Sequence, residues 1–408
     1  MLKDHQKAYI IGTFDTKSAE LLYLSDLLSK CGIESCLVDV STSPNYTPDD
    51  RVSIQPSQIA QYFPKQSQNS FDSDDRGAAI AKMKESLIHF IKQAKDIGGV
   101  IGAGGSGNTD LVSAALRELP VGLPKIMVST VGSGNIAPYV GPNDIAMVYS
   151  VTDVAGLNTI SRKVLGNAAH ALAGMMNHNI PVNKTNAPAL GLTMFGVTTP
   201  CVDMLRKKFG DTYDCLVFHA TGVGGQSMEK LAESNLLVGS IDVTTTEVCD
   251  LVAGGVFAAG KDRFERLARS GLPYVGSCGA LDMVNFGAKE TVPARYKDRK
   301  LYVHNANVTL MRTNVDECIK IGKFIAEKLN LFKTPFSFLF PEKGFSILDS
   351  EGQIFYDQEA NAALFESLQS NILNSHKHRL ISLPMHINDP SFADALAEAW
   401  ENVIGEKL

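Results

Sequence analysis

Residues 99–109, Gly-Val-Ile-Gly-Ala-Gly-Gly-Ser-Gly-Asn-Thr, restrict the fold more than any other stretch of the chain. Val100 and Ile101 read as the end of a strand. Gly102, Gly104, Gly105 and Gly107 follow, and Asn108, Thr109 and Asp110 then offer capping side chains ahead of a helical apolar pattern at Leu111, Ala114, Ala115 and Leu116. A strand, a glycine turn and a helix start aim free backbone N–H groups and the positive end of a helix dipole at one point, which suits an anion. Glycine lets a phosphate approach the backbone with no Cβ in the way. The stretch predicts a phosphate cradle; a glycine-rich turn with no ligand is the bland alternative.

The rest of the chain alternates as such a turn requires. Residues 8–12 read as a buried strand running into Gly12-Thr13-Phe14-Asp15-Thr16-Lys17, followed by a helix with Leu21, Leu24 and Leu28 on one side and a strand at 35–40. Residues 42–76 lose periodicity and fill with Ser, Pro, Asp and Gln, which predicts a mobile excursion or a lid. A helix over 78–94 leads back to the strand before the glycine turn. Strands at 125–130 and 145–150 and a helix over 156–176 complete this half, and 177–188 reads as a linker. Alternation then restarts, with strands at 189–195, 215–220, 237–243, 274–278 and 301–310 and helices at 201–209, 226–233 and 315–329. Strand-like segments at 336–340, 354–355 and 381–385 and a helix over 393–403 end the chain. The pattern predicts an α/β protein of two Rossmann-like three-layer domains, 1–183 and 184–408. Their mostly parallel sheets are expected to face across a cleft, with the glycine turns at the carboxyl ends of strands.

Composition narrows the function. The chain has 408 residues, 44% hydrophobic and 20% charged, as in a soluble globular protein. Its 38 basic and 44 acidic residues give a net charge of −6, which argues against nucleic-acid binding by counterion release. No apolar run approaches membrane-spanning length, so no membrane partner is expected, and the amino terminus lacks the form of a signal peptide. Seven scattered cysteines without a C-x-x-C read as reduced thiols of a cytoplasmic protein without structural zinc.

The segment 102–107 also spells G-x-G-x-x-G. A dinucleotide fingerprint would add an acid about twenty residues on, to hold the ribose, and positions 120–143 contain no Asp or Glu. No Gly-Lys-Ser/Thr occurs, so this is not a Walker A loop. The cofactor-binding candidates are Gly104, Gly105, Ser106, Gly107, Asn108 and Thr109 here, Gly12, Thr13, Asp15, Thr16 and Lys17 in the first turn, and Ser129, Gly132, Ser133 and Gly134 in a third. Lys17 would neutralise phosphate, the threonines would donate hydrogen bonds, and Asp15 would hold Mg²⁺ through water. Helix capping by Asp15 or Thr16, with Glu20 as capping-box partner, is the structural alternative. In the second half His219 ends a strand beside Thr221-Gly222-Val223-Gly224-Gly225, and Asp242 and Glu247 bracket a threonine run. These three are the catalytic candidates, as acid/base groups, with Asp242 and Glu247 also possible metal ligands; helix capping is the alternative for the two carboxylates. Cys278 has no assignable charged partner to make it a nucleophile, and no G-x-S-x-G elbow occurs.

Five segments together carry a resemblance: Gly-Thr-x-Asp-Thr-Lys-x-x-Glu at 12–20, Gly-Gly-Ser-Gly-Asn-Thr at 104–109, Phe-His-Ala-Thr-Gly-x-Gly-Gly at 218–225, Asp-Val-Thr-Thr-Thr-Glu-Val at 242–248 and His-Asn-x-Asn-Val-Thr-Leu-Met-Arg-Thr at 304–313. In this order they resemble the ATP-binding domain family of the plant tomato mosaic virus resistance protein, with its bacterial and fungal members of unassigned function. The resemblance implies two Rossmann-like domains, ATP and Mg²⁺ as cofactors, and a homodimer. It also implies a separate barrel protein resembling phosphoenolpyruvate hydrolase as a partner. The leading expectation is an ATP-dependent or phosphoryl-transfer enzyme acting on a small metabolite held between the domains. The alternatives are a nucleotide-sensing regulatory protein without turnover, or an ATP-independent hydrolase or isomerase of a phosphorylated or carboxylated sugar.

Overall fold

The computed structural model describes residues 6–43, 47, 49–64, 76–178, 180 and 187–405. Most of the linker expected at 177–188, and residues 44–46, 48 and 65–75 of the long excursion, lie outside these. The chain divides into two compact units, Met1–Asn183 and Lys184–Leu408.

The first unit runs β1 (Lys7–Gly12), α1 (Phe14–Lys30), β2 (Ser35–Asp39), α2 (Pro56–Ala60), α3 (Arg76–Gln93), β3 (Ile97–Gly104), α4 (Ser106–Leu116), β4 (Lys125–Ser129), α5 (Ala137–Val140), β5 (Ala146–Tyr149) and α6 (Thr159–Asn177). Its five strands form one parallel sheet in the order β2-β1-β3-β4-β5. Strand periodicity sends alternate residues to opposite faces. Ala8 and Ile10 therefore join a core with Leu21, Leu24 and Leu28 of α1 and Leu165 and Leu172 of α6. Tyr9 and Ile11 join a second core with Leu87 and Phe90 of α3 and Leu111 and Leu116 of α4. Burial on both faces is why β1 and β3 read as continuous apolar runs. The excursion is partly packed rather than free: Val52, Ile59 and Phe63 are buried, and Ile54 bridges Val38 in parallel.

The second unit runs β6 (Ala189–Met194), α7 (Thr199–Phe209), β7 (Asp214–His219), α8 (Val223–Glu233), β8 (Gly239–Thr244), α9 (Glu247–Ala253), α10 (Glu265–Ser270), β9 (Tyr274–Gly279), β10 (Met283–Phe286), β11 (Leu301–Asn305), β12 (Val308–Arg312), α11 (Val315–Leu329), β13 (Phe336–Pro341), α12 (Gln358–Asn371), β14 (His378–Leu383) and α13 (Pro390–Gly405). Six strands make a parallel sheet, β14-β13-β9-β8-β6-β7, and β10-β12-β11 form a small antiparallel sheet. The segment 301–310, expected as one strand, is a hairpin that turns at Asn305-Ala306-Asn307. Residues 354–355 are not a strand, and α12 was not anticipated; its apolar spacing is sparse and most of its surface is polar.

In both sheets two neighbouring strands send their outgoing helices to opposite faces. In the first they are β1 (α1) and β3 (α4); in the second, β6 (α7) and β8 (α9). The crevice outside the carboxyl ends of such a pair is where open parallel sheets bind ligands. At the far end of β8, Gly239 is enclosed by the buried Trp400: a Cβ there would stand 2.5 Å from the indole and 2.7 Å from the Pro273 carbonyl. Gly239→Ala is therefore expected to destabilise the chain by about 1–3 kcal/mol through overpacking, read as a lower urea midpoint with an unchanged m-value.

Candidate functional site

The β1–α1, β3–α4 and β4 turns all lie at the carboxyl edge of the first sheet, and bonds link two of them. Thr109 Oγ1 lies 2.6 Å from Ser129 Oγ and also donates to the Gly105 carbonyl at 2.8 Å. Thr130 N donates to the Gly104 carbonyl at 3.3 Å. The first turn reaches the second through Asn108, whose amide nitrogen donates to the Ala103 carbonyl at 2.8 Å and lies 3.4 Å from where a Cβ on Gly12 would sit. The structure thus brings Gly12 to Asn108 and Thr109 to Ser129; Thr13, Asp15, Thr16 and Lys17 follow Gly12 in the first turn, while Ser133 and Gly134 are exposed residues of the third.

Within this edge the glycines divide into two kinds. At Gly12 a Cβ would meet Leu21 at 2.8 Å, at Gly102 Met127 at 2.9 Å, at Gly104 Asn108 at 2.8 Å and at Gly132 the Tyr149 backbone at 2.9 Å. Packing explains all four. At Gly107 nothing lies within 4 Å, and at Gly105 only Thr130 Oγ1, at 3.9 Å. Neither has a positive φ, so the fold itself has no need of glycine there. Gly105 is the N-cap of α4 and offers no side-chain cap; the helix has no acid in its first turn. Its first bond runs from Thr109 N to the Gly105 carbonyl, which leaves the amides of Ser106, Gly107 and Asn108 without helical acceptors.

Charge is distributed unevenly around these amides. Lys17 is half-buried, departs from helical geometry (φ −129°, ψ 17°), and makes no ion pair among the described residues. Asp15 accepts from Ser43 Oγ, and its amide donates to Ser41 Oγ at 3.0 Å. Ser41 Oγ in turn donates to Asp39, the last residue of β2, which also receives the amides of Ser41 (2.9 Å) and Phe14 (3.3 Å). Asp39 was not among the expected residues; the signal was a carboxylate ending an otherwise apolar strand. Glu20 does not cap α1. It is buried and accepts from the Gly156 amide at 2.6 Å, which ties α1 to the turn before α6.

The second unit treats its glycine turn differently. Glu247 Oε1 accepts from the amides of Gly222 and Gly225, both at 3.0 Å, so the chain's own carboxylate occupies the amino terminus of α8. Glu247 Oε2 receives Arg263 Nε at 3.0 Å. The same guanidinium donates to Asp242 at 2.7 Å and Glu229 at 2.8 Å. Asp242 also accepts from Thr193 Oγ1 at 2.6 Å and Tyr274 Oη at 3.1 Å. Asp242 and Glu247 therefore come together, fully enclosed and committed to Arg263. His219 stands apart, exposed, with its ring 5.2 Å from that of Phe195. Arg263 has no motif around it that sequence inspection would single out. Gly225 is glycine because a Cβ there would fall 2.2 Å from Glu247 and 2.7 Å from Arg263.

Burial pushes the Glu229 carboxyl up to about 7, against the pull of Arg263, and raises that of Glu247. Asp250, which accepts from the Phe257 and Asn285 amides, and Asp282, bonded to Ser346 Oγ, are likewise pushed up to about 7 by desolvation. His386 Nδ1 accepts from the Asn388 amide (3.1 Å), so in the neutral ring Nε2 carries the proton and donates, at 2.9 Å, to the Ser346 carbonyl. It is not a base for the neighbouring Ser350. No described helix is long and apolar enough to cross a membrane.

Comparison with known proteins follows this division of the chain. Residues 6–181 match the N-terminal domain and residues 187–404 the C-terminal domain of an uncharacterised protein family, UPF0261. A UPF0261 protein of Mesorhizobium japonicum is 53% identical over 96% of this chain and 98% of that protein; one of Rhizobium meliloti is 51% identical over 98% and 99%. The tomato mosaic virus resistance protein Tm-1 of Solanum lycopersicum is 42% identical over 97% of this chain, which spans 55% of that longer protein.

Two outcomes test the buried charges. Arg263→Met leaves three enclosed carboxylates without their cation and is expected to destabilise the protein by about 3–5 kcal/mol in denaturant titrations at neutral pH. Glu229, Asp250 and Asp282 titrate near 7 when folded, against ordinary values of 4.5, 3.8 and 3.8. The folded state thus keeps protons that the unfolded chain has lost. Their contribution to stability falls as pH rises from about 4 to about 7, and the urea midpoint is expected to be higher at pH 5.5 than at pH 7.5.

Proposed function

We propose, for a chain that belongs to the UPF0261 family along both of its units, that the carboxyl edge of the first sheet binds ATP with Mg²⁺ and offers its phosphate chain to a small metabolite. One observation carries this reading: Gly105 and Gly107 have no steric reason to be glycine. Gly107, inside the first turn of α4, costs roughly 0.5–1 kcal/mol relative to alanine, and without a Cβ there the unbonded amides of that turn stay open to an incoming anion. Lys17, which makes no ion pair among the described residues, would add a positive charge from the neighbouring turn, and Asp15 in that turn would hold a hydrated Mg²⁺. The choice of ATP as the ligand rests on the resemblance of the 12–20 and 104–109 segments to an ATP-binding domain family. Phosphoryl transfer asks mainly for positioning and charge neutralisation, which these groups supply.

A second reading, nucleotide sensing without turnover, is favoured by the burial of Asp242 and Glu247: their carboxylates are spent on Arg263 and the α8 amides rather than offered to a substrate. Incubation with ATP and a metabolite library separates the two, since an enzyme yields ADP or a product of new mass and a sensor leaves ATP intact. For either, calorimetry in Mg²⁺ buffer is expected to show ATP affinity in the micromolar range, weakened about tenfold by Lys17→Gln, roughly one charge-assisted contact. Gly107→Leu should abolish binding without lowering the melting temperature. Wild-type protein that takes up no nucleotide would falsify both readings.

A further inference from the structure

Among the described residues, three buried side-chain oxygens without a donor sit at this same edge: Asp39 Oδ2, Asp15 Oδ1 and Asn108 Oδ1. Asp39 ends β2, Asp15 lies in the first turn of α1 after β1 and Asn108 in the first turn of α4 after β3, and these three strands are adjacent. Asp39 and Gly12 are paired in register, Asn108 approaches Gly12 from the other side, and Ser41 joins Asp39 to Asp15. Asp39 is 0% and Asn108 9% exposed.

We infer that Asp39, Asp15 and Asn108 hold a hard divalent cation, Mg²⁺ or a similar ion, with no nucleotide required. The inference rests on this edge being a ligand site, but not on ATP being the ligand. All three unpartnered atoms are acceptors, so what is missing is a positive charge or a proton donor. Asp39 and Asp15 form no ion pair among the described residues, while the other oxygen of each is already bonded. The three atoms are closed to solvent, so bulk water does not supply the partner they lack. Two carboxylates and an amide oxygen suit Mg²⁺, Mn²⁺ or Ca²⁺, whereas zinc prefers nitrogen and sulfur. No group of three His, Cys, Asp or Glu side chains gathers for a metal among the described residues, so the amide of Asn108 is needed as the third donor. The edge then has two complementary sides, donors at the start of α4 and acceptors at β1 and β2, and a metal–anion pair matches it better than an anion alone.

The test uses the nucleotide-free full chain, titrated with Mn²⁺ and followed by electron paramagnetic resonance, with Mg²⁺ competition. One Mn²⁺ per chain is expected, displaced by Mg²⁺, with affinity at least tenfold lower in Asp39→Asn and in Asp15→Asn. Gly107→Leu should keep the metal while losing nucleotide. Melting curves establish that each variant is folded; if Asp39→Asn is not, Asp15→Asn still decides. No Mn²⁺ bound to the wild type, as when a buried water fills the gap, overturns the inference, and so does undiminished binding in both folded Asn variants. Metal bound without any ATP binding would sink the nucleotide reading and leave the cation site standing.

Discussion

One guanidinium surrounded by three carboxylates holds the carboxyl edge of the second sheet together. Arg263 joins β8 through Asp242, α8 through Glu229 and α9 through Glu247, and Glu247 reaches on to the amides of the glycine turn. One positive charge against three negative ones leaves the cluster short of cations. Desolvation answers part of this by pushing the Glu229 carboxyl up to about 7, so that a proton there makes up some of the missing charge. Removing one member of such a cluster leaves the others buried without compensation, which makes the arrangement all-or-none.

The two units put the same local chemistry to opposite uses. Each has a glycine-rich turn between a parallel strand and a helix, after β3 in the first unit and after β7 in the second. In the first unit the α4 amides are uncapped, and two glycines border open space. In the second the amides are taken by Glu247, and the glycines are forced: a Cβ at Gly224 would meet the His219 carbonyl at 1.8 Å. Loop composition does not distinguish these cases, because the difference lies in a carboxylate arriving from more than twenty residues away.

This sets the limit on what the sequence reveals. The parallel strands were legible because burial on both faces writes them as apolar runs, and the turns because only glycine and small polar residues fill them. The β11–β12 hairpin was hidden because only the four residues His304-Asn305-Ala306-Asn307 interrupt its apolar runs. Helix α12 was hidden because its buried stripe is short of large residues: Ala360, Asn361, Leu364, Ser367 and Leu368. The convergence of the Gly12, Gly104 and Ser129 turns followed from topology. The parts played by Asp39, Arg263 and Glu247 did not, since each acts through partners distant in the chain.

The carboxylate of Glu247 stands where a bound anion would stand, so the second unit carries its ligand as part of its own covalent structure. The entropy of ordering that turn is met once, at folding, and its geometry does not vary with the concentration of anything in solution. Among the described residues no side chain of the first unit does the same for the α4 amides, so the occupant proposed for that edge would have to come from solution.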